Sequence, residues 1–151
     1  MKIYLAGPCD TENRTKLVQI AKHLRKNGHE VYCPFELKIE NAWDYSQEDW
    51  ARKVFLSDIR QIEKSEAVIV ISLGRISSAG TNWEQGYAHA LKIPTYVIQI
   101  TDTPTSLMTY WGCDGFLNCT NFSEIENLVD HACQLAKEQS HYHVGCKTIL
   151  A

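Results

Sequence analysis

Ala67-Val68-Ile69-Val70-Ile71-Ser72-Leu73 reads as a strand without polar alternation. A strand covered on one face alternates apolar and polar residues. A continuous apolar run is buried on both faces, and such strands belong to parallel sheets. Parallel strands need crossover connections, usually helices. The flanks supply them. Before the run, about Tyr45 to Lys64 reads as a long helix with Trp50, Val54, Ile59 and Ile62 as its apolar stripe. After it, Gly80 to Leu91 reads as a second helix.

Working outward, Lys2 to Ala6 is a short buried strand broken by Gly7-Pro8. Thr15 to Lys26 carries Leu17, Ile20, Ala21 and Leu24 at helical spacing. Asn27-Gly28 is a stop signal, with Gly28 suited to a left-handed conformation. Glu30 to Cys33 is a second strand, Ile93 to Ile100 a fourth, and Phe116 to Cys119 a short fifth. Residues 35 to 47 form a polar loop, and Thr101 to Phe116 has no clear period. Glu124 to Glu138 closes the series as a helix with Ile125, Leu128, Val129, Ala132 and Leu135 on its apolar face. This alternation predicts an α/β fold, a flavodoxin-like, doubly wound parallel five-stranded sheet with helices on both faces. The expected strand order is 2-1-3-4-5, and its switch point lies between the first and third strands. That places Tyr4 to Cys9 beside Leu73 to Glu84.

The 151 residues predict one domain, 1 to 138, and a C-terminal tail, 139 to 151. A net charge of -3 with scattered Lys and Arg argues against a nucleic-acid polymer as partner. No apolar run approaches the ~18 residues of a membrane span, and the first residues do not resemble a signal peptide. The six cysteines are widely spaced without C-x-x-C and read as reduced thiols of a cytoplasmic protein. Cys113 and Cys119 make a weak metal pattern, and His141, His143 and Cys146 a tail cluster that reads better as solvated tail. No metal or cofactor is expected.

Gly80-Thr81-Asn82-Trp83-Glu84-Gln85-Gly86-Tyr87-Ala88 places a carboxylate, Glu84, in the first turns of a helix just past a buried strand. Ligands bind in that crevice in open α/β sheets. Glu84 is either a charge answering the helix dipole or a nucleophile toward an anomeric carbon. Tyr4 is either core or a hydroxyl that orients a carboxylate. Asp58 is either a solvated helix charge or a buried group facing the crevice. Ser77-Ser78-Ala79-Gly80-Thr81 supplies an N-cap and, by the same geometry, donors for a phosphate. Gly7-Pro8-Cys9-Asp10 with Asn13-Arg14 is a turn in which Asp10 or Thr11 caps the first helix. Trp43, Tyr45, Trp50 and Trp83 fit base stacking, core or a subunit contact.

Three of these pieces together resemble the nucleoside 2-deoxyribosyltransferase family. They are Lys2-Ile3-Tyr4-Leu5-Ala6-Gly7-Pro8, the segment Asp58 to Val70, and the segment Gly80 to Pro94. The resemblance spans roughly residues 2 to 100. It implies a flavodoxin-like oligomer, a homodimer or larger, that cleaves N-glycosidic bonds. It implies Glu84 as nucleophile at the sugar C1', Tyr4 as the residue that positions it, and Asp58 in the same pocket. Gly7, Ser78, Gly80 and Arg14 are the candidates for substrate binding, Gly80 because it lets a sugar approach the backbone and Arg14 as either an anion contact or a plain surface arginine; the resemblance implies that a neighbouring subunit often completes the site. Ser106, Met108 and Asn118 are candidates for that intersubunit half. Transferases acting on free nucleosides typically carry aspartate where this chain has Ser78. A related branch, the nucleoside 5'-monophosphate N-glycosidases, carries serine there to hold the phosphate. That branch's arginine-rich turn has no clear counterpart beyond Arg14.

The reading is therefore an enzyme acting on a small-molecule nucleoside or nucleotide. It cleaves the N-glycosidic bond of a (deoxy)nucleoside 5'-monophosphate or nucleoside, by hydrolysis or transfer. A transferase acting on free deoxynucleosides and a non-catalytic nucleotide-binding module are the alternatives.

Overall fold

The computed structural model describes residues 1–143 and the backbone of 149–150. The chain runs β1 (Lys2–Ala6), α1 (Thr11–Lys26), β2 (Glu30–Tyr32), α2 (Gln47–Glu63), β3 (Ala67–Ser72), α3 (Ala79–Ala90) and β4 (Thr95–Gln99). It continues through β5 (Thr105–Ser106), α4 (Leu107–Trp111), β6 (Gly115–Asn118), α5 (Ile125–Glu138), β7 (Tyr142–His143) and β8 (Ile149–Leu150). Single 3-10 turns at Pro34–Glu36 and Ala42–Asp44 punctuate the loop after β2.

Every residue of β3 is buried, as its unbroken apolar run requires. The main sheet is parallel throughout, in the order β2-β1-β3-β4-β6-β7. The first five strands of this sheet thus follow the expected 2-1-3-4-5 order. Period-two alternation sorts the side chains to two faces. Ile3, Leu5, Ile69, Ile71, Tyr96 and Ile98 pack with Leu17, Ile20 and Leu24 of α1 and Val129 and Ala132 of α5. Tyr4, Ala6, Val68, Val70 and Val97 turn the other way, toward Ile62 of α2, Ala88 of α3 and Tyr110 of α4. The sheet is covered on both faces, and Tyr4 faces the α2–α3 side.

Three features differ from expectation. First, α1 starts at Thr11, about one turn early, because the Asp10 side chain caps it by accepting from the Asn13 amide at 2.9 Å. Second, the α2 stripe enters the core only at its C-terminal end. Only Ile62 is buried, and Trp50 is 43 % exposed, because this face lines a cavity instead. Third, Tyr142–His143, expected in the tail, adds a sixth strand beside β6. Two residues suffice because Tyr142 N–H donates to the Asp114 carbonyl and carries the ladder on from β6.

Candidate active site

The crevice forms where the chain leaves β1 toward β2 on one side and returns through β3 on the other. Tyr4 sits in register with Tyr32 of β2 and Val68 of β3. Both tyrosine rings therefore project to the α2–α3 face. They stack with centroids 5.5 Å apart and planes 27° from parallel. Each hydroxyl meets a carboxylate from a different helix. The Tyr4 hydroxyl donates to Glu84 Oε1 at 2.7 Å, across 80 residues of sequence. The Tyr32 hydroxyl donates to Asp58 Oδ1 at 2.7 Å and lies 3.2 Å from Ser57 Oγ.

Glu84 comes from α3, which starts where Ser78 caps it: the serine hydroxyl accepts from the Thr81 amide at 3.2 Å and lies 2.7 Å from Thr81 Oγ1. Asp58 comes from the fourth turn of α2, whose own cap is Ser46. Asp58, Glu84 and Gly80 line one cavity of about 410 Å³. Its walls are Trp50, Val54, Phe55, Ile59, Ile62 and Trp83. Trp83 stacks on Tyr87 at 5.1 Å and meets Phe55 at 5.6 Å. Phe55 and Trp83 remain about half exposed, so the wall faces the opening rather than the core.

Burial and aromatic walls disfavour charge here. Glu84 is pushed up to about 7, chiefly by desolvation; the Tyr4 hydrogen bond opposes the rise, and the Asp58 charge adds to it. Asp58 is also raised by desolvation, against the Tyr32 hydrogen bond. The Tyr4 phenol is driven far above its ordinary value, first by burial and then by the Glu84 and Asp58 charges, so it keeps its proton. A carboxylate poised near neutrality in a cleft is what covalent and acid–base chemistry uses. Among the described residues, no lysine or arginine lines this cavity.

Of the residues expected in substrate binding, Gly80 lines the cavity and Ser78 stands at the α3 start beside it. Gly7 is buried against α1, where an added Cβ would lie 2.6 Å from Leu17 Cδ2. Arg14 is exposed, with its guanidinium 5.7 Å from the Phe35 ring centroid, and does not line the cavity. Ser106 and Met108 line a second cavity of about 470 Å³ with Gln85 and Trp111. Asn118 ends β6. His143 lies 3.9 Å from Cys113 Sγ, and its Nε2 is 3.0 Å from the Tyr110 carbonyl. Asp114 lies 3.5 Å from His141. Cys146 falls outside the described residues. Tyr32 was not foreseen. The available signal was its alternation: β2 sends Val31 to one face and Tyr32 to the face of Tyr4.

The switch-point crevice of this parallel α/β sheet, with two tyrosine-bound carboxylates and an aromatic wall, is the candidate site. Residues 3–141 match the family model described as nucleoside 2-deoxyribosyltransferase. No curated protein matches the chain by sequence. Among solved structures, a 2-deoxyribosyltransferase from Bacillus psychrosaccharolyticus superposes with a TM-score of 0.67 at 28% identity, over 84% of this chain and 91% of that one. The CMP N-glycosidase BcmB of Clostridium botulinum gives 0.62 at 16% identity, over 86% and 99%. A conserved protein from Enterococcus faecalis V583 gives 0.57 at 18%, over 96% and 91%. The last two speak to fold alone. The chain belongs to the nucleoside 2-deoxyribosyltransferase family and is an enzyme of the glycosidase and transferase kind.

No described helix is long and apolar enough to cross a membrane.

Proposed function

We propose that the protein cleaves the N-glycosidic bond of a (deoxy)nucleoside or its 5'-monophosphate, with Glu84 as the nucleophile. The observation that carries this reading is the 2.7 Å bond from Tyr4 to Glu84 Oε1 inside an aromatic cleft. Tyr4 fixes one carboxylate oxygen and leaves the other to attack C1'. The base stacks on the Phe55 and Trp83 wall. As the C1'–N bond breaks, its electron pair goes to the base, which takes a proton from Asp58 directly or through water. The sugar passes through an oxocarbenium-like state and is held as a glycosyl ester of Glu84. Water or a second base then attacks C1', gives its proton to the Asp58 carboxylate and releases Glu84 as a carboxylate, giving hydrolysis or transfer. With a pKa of about 7, Glu84 is both a competent nucleophile and a competent leaving group near neutral pH. This reading needs no metal or cofactor.

Two observations bear on the 5' end. Ser78 at the start of α3 favours a monophosphate, since a serine there donates where an aspartate would repel. The two carboxylates that line the cavity, with no cation beside them among the described residues, favour the free nucleoside. Completion of the pocket by a second copy of the chain belongs to the same reading, and exposed Leu107, Met108 and Trp111 supply apolar surface for the contact. The test is chromatographic release of free base from a panel of nucleosides and their 5'-monophosphates. Base must appear with the native protein and fall by orders of magnitude with Glu84→Ala. No release from any member of the panel refutes the reading.

A further inference from the structure

Asp58 stands on α2, with one face of the helix toward the cleft. Its surroundings are specific. From β2, Tyr32 donates to Oδ1 at 2.7 Å. From its own helix, Ser57 Oγ lies 3.2 Å from the Tyr32 oxygen. A phenol has one proton, and here it points at Asp58, so Ser57 donates to Tyr32. The result is a directed chain, Ser57 Oγ–H to Tyr32 Oη–H to Asp58 Oδ1. The Tyr32 ring is braced by stacking on Tyr4, which is itself fully buried. The tyrosine that serves Glu84 thus braces the tyrosine that serves Asp58.

We propose that Tyr32 is a positioning residue for the reaction: it aims Asp58 at the leaving base and stabilises the carboxylate that Asp58 becomes as it gives up its proton. This rests on the reading of Asp58 as proton donor. The bond from Tyr32 strengthens as Oδ1 gains negative charge, because hydrogen bonds to ionised acceptors are about twice as strong as neutral ones. It therefore acts mainly on the transition state, and its loss lowers kcat with little change in KM. Tyr32→Phe is the clean probe, since it keeps the ring on Tyr4 and removes only the hydroxyl.

The groups facing Asp58 are Tyr32 from β2, Ser57 from α2, Glu84 from α3, and, on or just after β1, Tyr4 and Cys9, whose thiol is itself raised by burial and by the Glu84 and Asp58 charges. Two experiments test the assignment. The first follows the Asp58 side-chain carboxyl by carbon NMR against pH, in a Glu84→Gln background so that one cleft carboxyl titrates. Adding Tyr32→Phe must move the Asp58 midpoint upward, because the hydroxyl favours the charged form. Ser57→Ala must move it the same way by less, and serves alone if Tyr32→Phe does not fold. An unmoved midpoint overturns the proposal. The second is a double-mutant cycle on base release. Tyr32→Phe lowers kcat about tenfold in the native background and less than about twofold when Asp58 is already Asn. If the two losses multiply, Tyr32 has a general packing role and the proposal falls. If the native protein releases no base from any substrate, the proposed function fails, and the titration still decides whether Tyr32 governs Asp58.

Discussion

Removing one oxygen atom, by Tyr4→Phe, separates a positioned nucleophile from a bystander carboxylate. The ring stays, and with it the stacking on Tyr32 and the packing against α2 and α3. The 2.7 Å bond to Glu84 is lost. A hydrogen bond to a charged group is worth ~1.5–3 kcal/mol, and a pKa unit is ~1.4 kcal/mol. The bond stabilises the ionised form, so its removal raises Glu84 by roughly one to two units above its value of about 7. At pH 7 the ionised fraction then falls from about a half to between ~10 % and ~1 %, which lowers kcat/KM about 5- to 50-fold. By about pH 9.5 most of the carboxylate is ionised again, and the variant comes to within about twofold of the native enzyme at that same pH. The assay is base release across pH 5 to 10. The native acid limb should lie near the Glu84 value of about 7, as a property of the coupled Glu84–Asp58 pair. A loss equal at every pH, with the acid limb unmoved, refutes the idea that Tyr4 works through the ionisation of Glu84.

Further outcomes follow from the same geometry. Glu84→Gln abolishes turnover yet stabilises the fold. The native Glu84 binds its proton more tightly than an unfolded glutamate, so its stability cost grows as pH rises from the ordinary value of 4.5 to about 7. Thermal melts at pH 8 should rise by the equivalent of ~1–3 kcal/mol, and at pH 4 the difference should vanish; a lower melting point at pH 8 contradicts this. Ser78→Asp keeps the α3 cap, since aspartate is as good an N-cap as serine, but weakens monophosphate use more than nucleoside use; equal effects in paired kcat/KM measurements remove Ser78 from the phosphate site. Gly74→Ala is strongly destabilising, by ~2–4 kcal/mol in denaturant titrations, because Gly74 has φ +66° and a Cβ there would lie 2.7 Å from the Thr103 carbonyl oxygen; a change within experimental error would contradict that packing. Sedimentation should find a dimer or larger oligomer that Trp111→Glu weakens, and a monomer at all concentrations removes the partner-completed pocket.

Legibility in the sequence followed the strength of the local signal. The run 67–73 announced burial on both faces, and the sheet order followed from the alternation of elements. Tyr4 was nameable as a hydroxyl in an otherwise apolar strand segment, Glu84 as a carboxylate just past a buried strand, and Asp58 as an acid beside the apolar side of its helix; the resemblance assigned their roles. Tyr32 was not, because β2 is three residues long and a tyrosine in a short strand looks like core. The stripe of α2 misled for a related reason. Trp50 and Val54 have the spacing of a core face, and periodicity does not tell a core from a cavity wall. The tail strand was hidden because Tyr142–His143 has no pattern of its own and is held by β6.

The central claim is that one Glu84 oxygen bonds to the sugar during turnover, and the direct measurement is the mass of the protein trapped in that state. A 2'-fluorinated nucleoside, and its 5'-monophosphate, slow the second step and let the glycosyl-enzyme accumulate. Intact mass spectrometry after acid quench should show one added fluorosugar, mapped by peptide fragmentation to Glu84 and absent from Glu84→Gln. Stoichiometric release of base with no adduct, or an adduct on any other residue, contradicts the account.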